Sequence, residues 1–222
     1  MPKTAMRKSA LSSHRPWLLV SLAAGLSYAI IEGGPLGEVW QMAIKGAAVG
    51  ALAIYAWQRH PSRDAKWVAA FLALSAAGDV TVNIDLIWGG ALFAAANSVA
   101  VAFYLTHRRH AMRGSQIGAA IALFLIGPLF AWLATRDPGF VAYGAFIGAL
   151  AGSAWMSRFP RYRVGIGAIL FLMSDMLIFA DAGFAQDNPV SALLIWPLYF
   201  IGQFMIATGI VQTLRKELPE AD

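Results

Sequence analysis

LIWGGALFAAANSVAVAFYLTHRRHAMR, running from Leu86 to Arg113, decides the fold of this chain. No side chain from Leu86 to Thr106 is charged, and the run has the ~20 residues a helix needs to cross ~30 Å of hydrocarbon. A soluble helix of that length keeps a polar face, and this one has none. Arg108, Arg109 and Arg113 follow at once. Cytoplasmic loops carry an excess of Lys and Arg, so this exit marks the inner side of a membrane.

Working outward, the chain holds seven further apolar runs: Trp17–Ile31, Val39–Trp57, Lys66–Asn83, Ile117–Ala134, Phe140–Met156, Val164–Ala182 and Val190–Leu214. Charge alternates between them. Lys3, Arg7, Lys8 and Arg15 precede the first, and Arg59, Arg63 and Lys66 follow the second. Arg158, Arg161 and Arg163 follow the sixth, and Arg215 and Lys216 the eighth. The other gaps hold Glu32 and Glu38, Asp85, Asp137 with the lone Arg136, then Asp181 and Asp187. The predicted fold is therefore all-α: a polytopic membrane protein, a bundle of about eight transmembrane helices with N-terminus and C-terminus cytoplasmic. Short connections predict antiparallel neighbours in sequence order. The expected organisation is a basic cytoplasmic tail over 1–16, one transmembrane domain over 17–214 and a cytoplasmic tail over 215–222. The basic start before a short apolar run, with Ser27 and Ala29, also has the form of a signal peptide. The short loop to the next run favours a retained hairpin.

Composition agrees. Hydrophobic residues make up 59% and charged residues 13% of the 222, against about 45–50% and about 25% in soluble domains. The net charge of +5 comes from short loops rather than a basic face, which argues against a nucleic-acid partner. There is no cysteine, and the four histidines lie in the N-terminal tail (His14) and in loops (His60, His107, His110). No disulfide, thiolate nucleophile, metal site or cofactor is expected. Gly46 and Gly50, and Gly144, Gly148 and Gly152, recur at helical spacing, as small residues do where membrane helices pack closely.

The informative residues are polar ones at membrane depth, where a charge costs at least ~2.5–3.5 kcal/mol on insertion scales. Lys45, Asp79 and Asp175 are charged, and Asn97, Tyr199 and Gln203 join them. Asn83 is one turn beyond Asp79 on the same face, and Tyr199 and Gln203 share a face. The topology sets this group in one depth band toward the outer side. Singly, the amides and the phenol suit interhelical hydrogen bonding, and Lys45 suits an ion pair with one Asp. Two carboxyls against one ammonium leave a carboxyl over, and a carboxyl withdrawn from water favours its neutral form. An acid beside a carboxylate is an arrangement for proton transfer.

At these positions the sequence resembles the YhhN family of membrane proteins, whose animal members include lysoplasmalogenase. The likeness rests on Ser75-Ala76-Ala77-Gly78-Asp79, on Phe171-Leu172-Met173-Ser174-Asp175, on Tyr199-Phe200-Ile201-Gly202-Gln203, and on Gly89 with Phe93. Two positions depart from it: Gly46 follows Lys45 where the family normally has Pro, and Asn97 stands where it tends to have His. An amide does not titrate, so Asn97 is limited to hydrogen bonding.

The resemblance implies acid-catalysed cleavage of the vinyl-ether bond of a lysoplasmalogen to a fatty aldehyde and a glycerophospho-alcohol. Its substrate is an alkenyl-ether lysophospholipid, and its expected location is a bacterial inner (plasma) membrane. Asp175 is the expected acid and Asp79 the cation stabiliser or water base, with the roles exchangeable. Lys45, Asn83, Asn97, Tyr199 and Gln203 are the expected binding or supporting residues. Two other classes fit part of the pattern: a proton-coupled transporter, or a lipid-binding membrane protein without catalysis. A retinal-binding protein fits less well, because its Lys lies on the last helix and Lys45 on the second.

Overall fold

The computed structural model describes residues 15–186 and 188–217. Lys3, Arg7, Lys8 and His14 of the basic N-terminal tail, Asp187, and the C-terminal tail beyond Glu217 lie outside the described residues. Among the described residues eight α-helices follow in order: α1 (Arg15–Ile31), α2 (Glu38–Arg59), α3 (Arg63–Thr81), α4 (Leu86–Thr106), α5 (Gly114–Thr135), α6 (Pro138–Met156), α7 (Ile166–Ala182) and α8 (Pro189–Lys216). A single π turn, Arg161–Gly165, leads into α7. No strand is present among the described residues.

Each apolar run has become a helix. Counting the π turn with α7, six helices are long and apolar enough to cross a membrane by length and composition. The other two are α1, a shorter apolar helix, and α3, which carries Arg63, Asp64, Lys66 and Asp79.

The helix starts are set by side chains that accept from free backbone N–H groups in the first turn. Ser62 accepts from Ala65 N in α3, and Asp85 from Ile87 N and Trp88 N in α4. Asp137 accepts from Gly139 N in α6, and Asn188 from Val190 N in α8. Pro138 and Pro189 stand just inside α6 and α8, where a missing N–H costs no helical bond.

Packing follows sequence order for α1–α2, α2–α3, α3–α4, α5–α6, α6–α7 and α7–α8. The expectation of sequential neighbours fails once: α4 packs on α6 rather than α5. The loops that follow these two helices are tethered, Arg109 Nε and Nη2 donating to Ser157 O (2.7 Å) and Phe159 O (2.9 Å) just beyond α6. Helices α3, α4, α6, α7 and α8 thereby close a ring. Outside it, α1 and α2 pack on the α3–α8 side and α5 on the α6–α7 side.

Glycine brings α5 onto α6. A Cβ on Gly127 would stand 2.2 Å from Gly144 O, and one on Gly148 would stand 2.5 Å from Phe124 O. Backbones in such contact gain dispersion attraction where lipid supplies no hydrophobic drive.

Candidate functional site

The ring of helices encloses a cavity of about 650 Å³. At one end its lining includes Glu32 after α1, Leu86 and Ile87 at the start of α4, and Asp137 and Gly139 at the start of α6. That end is the one with few basic residues. Deeper, the lining holds both Asp79 and Asp175, together with Lys45, Tyr143, Trp196 and Tyr199.

Each aspartate is held by its own tyrosine. Tyr199 Oη donates to Asp79 Oδ2 at 2.7 Å, from α8 to α3. Tyr143 Oη donates to Asp175 Oδ2 at 2.8 Å, from α6 to α7. The two carboxyls are all but excluded from solvent, at 1% and 4% exposure. Short hydrogen bonds of this kind fix the acceptor's orientation. Beside Asp175, Ser174 Oγ donates to Ile195 O at 2.8 Å and ties α7 to α8.

The stretches that carry the resemblance pack against one another here. A Cβ on Gly78 would meet the Phe93 ring at 2.9 Å, and one on Gly89 would meet Val82 Cα at 2.4 Å. The Phe93 ring stands edge-on to Tyr199 (5.9 Å between centroids) and to Phe171 (6.4 Å), and Phe171 stands edge-on to Tyr199 at 5.0 Å. Such edge-to-face pairs are favoured by the ring quadrupole. They brace the phenol that holds Asp79.

Lys45 corrects one expectation, since no ion pair joins it to either aspartate among the described residues. Its ammonium instead lies over the rings of Tyr28 (5.5 Å) and Trp196 (5.9 Å), a cation–π arrangement that holds a charge in partly desolvated surroundings. Trp196 is fixed in turn, its indole N–H donating to Gly25 O of α1 at 2.8 Å. The glycine that follows Lys45 has a local reason. A Cβ on Gly46 would stand 2.7 Å from Val80 Cγ2, so α2 meets α3 immediately beside Lys45 and Asp79.

Three expected residues do not line the cavity. Asn83 Nδ2 donates to the Asp79 backbone oxygen at 2.8 Å and finishes α3. Gln203 is wholly buried behind Tyr199, with Nε2 at 3.4 Å from Ser75 Oγ and no partner for Oε1. Asn97 is wholly buried as well, its amide beside the Tyr143 hydroxyl without reaching hydrogen-bond geometry. Asn97 and Gln203 share the depth but point elsewhere around their helices, whereas Asn83 is exposed in the turn beyond α3. Conversely, Tyr143, Trp196 and Glu32 line the cavity and were not singled out by the sequence. Tyr143 and Trp196 are ordinary membrane-helix residues there, and Glu32 reads as loop charge.

Among the described residues no group of three or more His, Asp or Glu side chains is placed to hold a metal ion. What the arrangement offers is two oriented carboxyls, one nearby ammonium and apolar walls that include Phe93, Phe140, Phe146 and Phe179.

Comparison with known proteins points the same way. A model of the YhhN family matches residues 40–210. Lysoplasmalogenase TMEM86A of Bos taurus is 37% identical over 76 residues, which is 34% of this chain and 30% of that relative. The matched part thus spans less than a third of the relative's length. No solved structure matches the chain.

Proposed function

The chain belongs to the YhhN family, and from that premise we propose that it hydrolyses the vinyl-ether bond of a lysoplasmalogen inside the membrane. The observation that carries this reading is the pair of buried carboxyls, each oriented by a tyrosine hydroxyl, in one lipid-sized cavity. The likeness over 76 residues to a protein named lysoplasmalogenase supports the choice of bond.

In the proposed reaction Asp175 is the acid. Its proton goes to the alkenyl carbon remote from the ether oxygen, the C=C electron pair forms the new C–H bond, and an oxocarbenium ion results. Asp79, on the side of the cavity where α2 brings Lys45, is the carboxylate that faces this cation and takes a proton from the attacking water. The new C–O bond makes a hemiacetal. Its collapse breaks the bond to the glycerol oxygen, which leaves with a proton, and gives the fatty aldehyde. Asp175 is reprotonated as Asp79 gives up the proton it took, so one water is consumed. An acid and a base in separate environments divide the work as in glycoside hydrolysis. The phenols of Tyr143 and Tyr199 keep both carboxyl planes fixed, and the aromatic walls take the alkenyl chain.

If the basic loops face the cytoplasm, as their charge predicts, the cavity opens to the other side of the membrane. We assign the chain to an inner membrane on that basis, with residues 17–214 as its transmembrane domain.

The test is aldehyde release from lysoplasmalogen by the purified full chain in detergent. Asp79→Asn and Asp175→Asn each lose at least about 10²-fold in kcat, the lower range for positioned acid–base groups. Turnover kept in both variants would sink the scheme.

A further inference from the structure

The charged groups along the cavity are four carboxyls (Glu32, Asp79, Asp137, Asp175) and one ammonium, Lys45. A single cation matches one phosphate, and the surplus of carboxyls repels a headgroup with more negative charge. The rim carboxyls differ in how they are occupied. Asp137 Oδ1 accepts from Gly139 N as the cap of α6. Glu32 caps no helix: it follows the last residue of α1, beside the Tyr28 phenol, at the exposed rim. Burial by the rim holds its carboxyl above the ordinary Glu range, against the opposing pull of Tyr28 and Lys45. Glu32 N donates to Tyr28 O at 2.9 Å and the Lys45 ammonium lies over the same Tyr28 ring at 5.5 Å, so both stand near it.

We propose that Glu32 at the cavity mouth and Lys45 inside it form a headgroup subsite that selects a lysophospholipid with a primary amine. The proposal rests on the lysolipid reading of the cavity. Lys45 takes the phosphate, and the Glu32 carboxylate accepts hydrogen bonds from the ammonium that follows it. A primary ammonium has three N–H donors to give, and a trimethylammonium has none. A quaternary ammonium is held instead by open aromatic faces. The two rings beside Lys45, Tyr28 and Trp196, already face the Lys45 ammonium. The geometry therefore favours ethanolamine over choline. Glu32 and Tyr28 also lie before residue 40, where the family match begins, so this selection belongs to α1 rather than to the matched core.

The test measures binding rather than turnover, so that it survives a failure of the hydrolase reading. Saturated 1-O-alkyl lysophospholipids have no vinyl ether to cleave. Their binding to the purified full chain in detergent is read by calorimetry and by tryptophan fluorescence, with ethanolamine, choline and glycerol headgroups. The wild-type chain binds the ethanolamine form about tenfold more tightly than the choline form, the worth of one hydrogen bond to a charged group, and the glycerol form most weakly. Glu32→Gln brings ethanolamine and choline within about threefold of each other, and Glu32→Asp keeps part of the preference. Glu217→Gln, at the far end of the bundle, leaves the preference unchanged. Equal binding of the two zwitterions by the wild type, no binding of either, or a preference untouched by Glu32→Gln would overturn the subsite. Correct selection without aldehyde release from the vinyl-ether lipid would overturn the hydrolase and keep the subsite.

Discussion

The two ends of the bundle are built differently. At the basic end the loops are bonded to one another. Arg109 N donates to Met156 O and Arg158 N to His107 O, beside the two bonds from the Arg109 guanidinium. The His107 ring meets Asp64 at 3.0 Å, Arg158 pairs with Glu217, and Phe159 stacks on Phe103 at 5.3 Å. At the other end the described loops keep their hydrogen bonds local: Asp85, Asp137 and Asn188 each cap their own helix, and Gln41 Nε2 donates to Leu36 O. The cavity opens at this second end. The contrast teaches that the helices are fixed relative to one another at the base, so the mouth needs no lacing of its own and stays available to a ligand.

Four perturbations test that division. The largest effect is expected in the cavity, from Tyr143→Phe combined with Tyr199→Phe. Losing two hydrogen bonds to buried carboxyls lowers the melting temperature, and the loss of oriented acids lowers kcat of the folded protein for aldehyde release about 10²-fold or more. At the base, Arg109→Ala strips two backbone oxygens of a charged donor. It lowers stability by about 2 kcal/mol, read as a shift of the detergent melt, with kcat of the folded protein retained. If Arg109→Ala abolished turnover at full stability, the base would not be the separate scaffold described.

Between α5 and α6, Gly127→Ala forces a Cβ onto a backbone oxygen and costs about 1–2 kcal/mol, within the usual range for overpacking. Smallest is Glu217→Gln, which removes an exposed pair worth under about 1 kcal/mol. The hydrogen bond from Arg158 holds the Glu217 carboxyl below its ordinary range. That stabilisation is present at neutral pH and is lost as pH falls through the lowered value. The melting temperatures of Glu217→Gln and the wild type therefore converge in acid.

Much of this was legible in the sequence. Hydropathy gave eight helices to within a few residues, because spanning ~30 Å leaves a length that no other constraint hides. Lys45, Asp79 and Asp175 stood out because charge at depth is costly, and all three reach the cavity. Rotation about a helix axis was not legible. Asn97 and Gln203 lie at the right depth but face the packing behind the site, since lipid-facing helices lack the polar stripe that reports orientation in water. Tyr143 escaped notice for the same reason, its role depending on where the hydroxyl points. The Asp85 and Asp137 carboxyls were read as loop charge and also serve as helix caps. The pairing of α4 with α6 is accompanied by Arg109 meeting two carbonyls some fifty residues away, which no local pattern announces.

The position of the two aspartates below a charged rim has a last consequence. A ligand held by its head at the mouth presents its bonds to the acids in a fixed order, counted from the head inward. On the proposed reading, the site works as a ruler with its zero at Glu32 on the rim, and its mark falls at a set number of atoms below. Chain length beyond that mark goes unread, whereas moving the vinyl ether by two carbons would carry it past the acids.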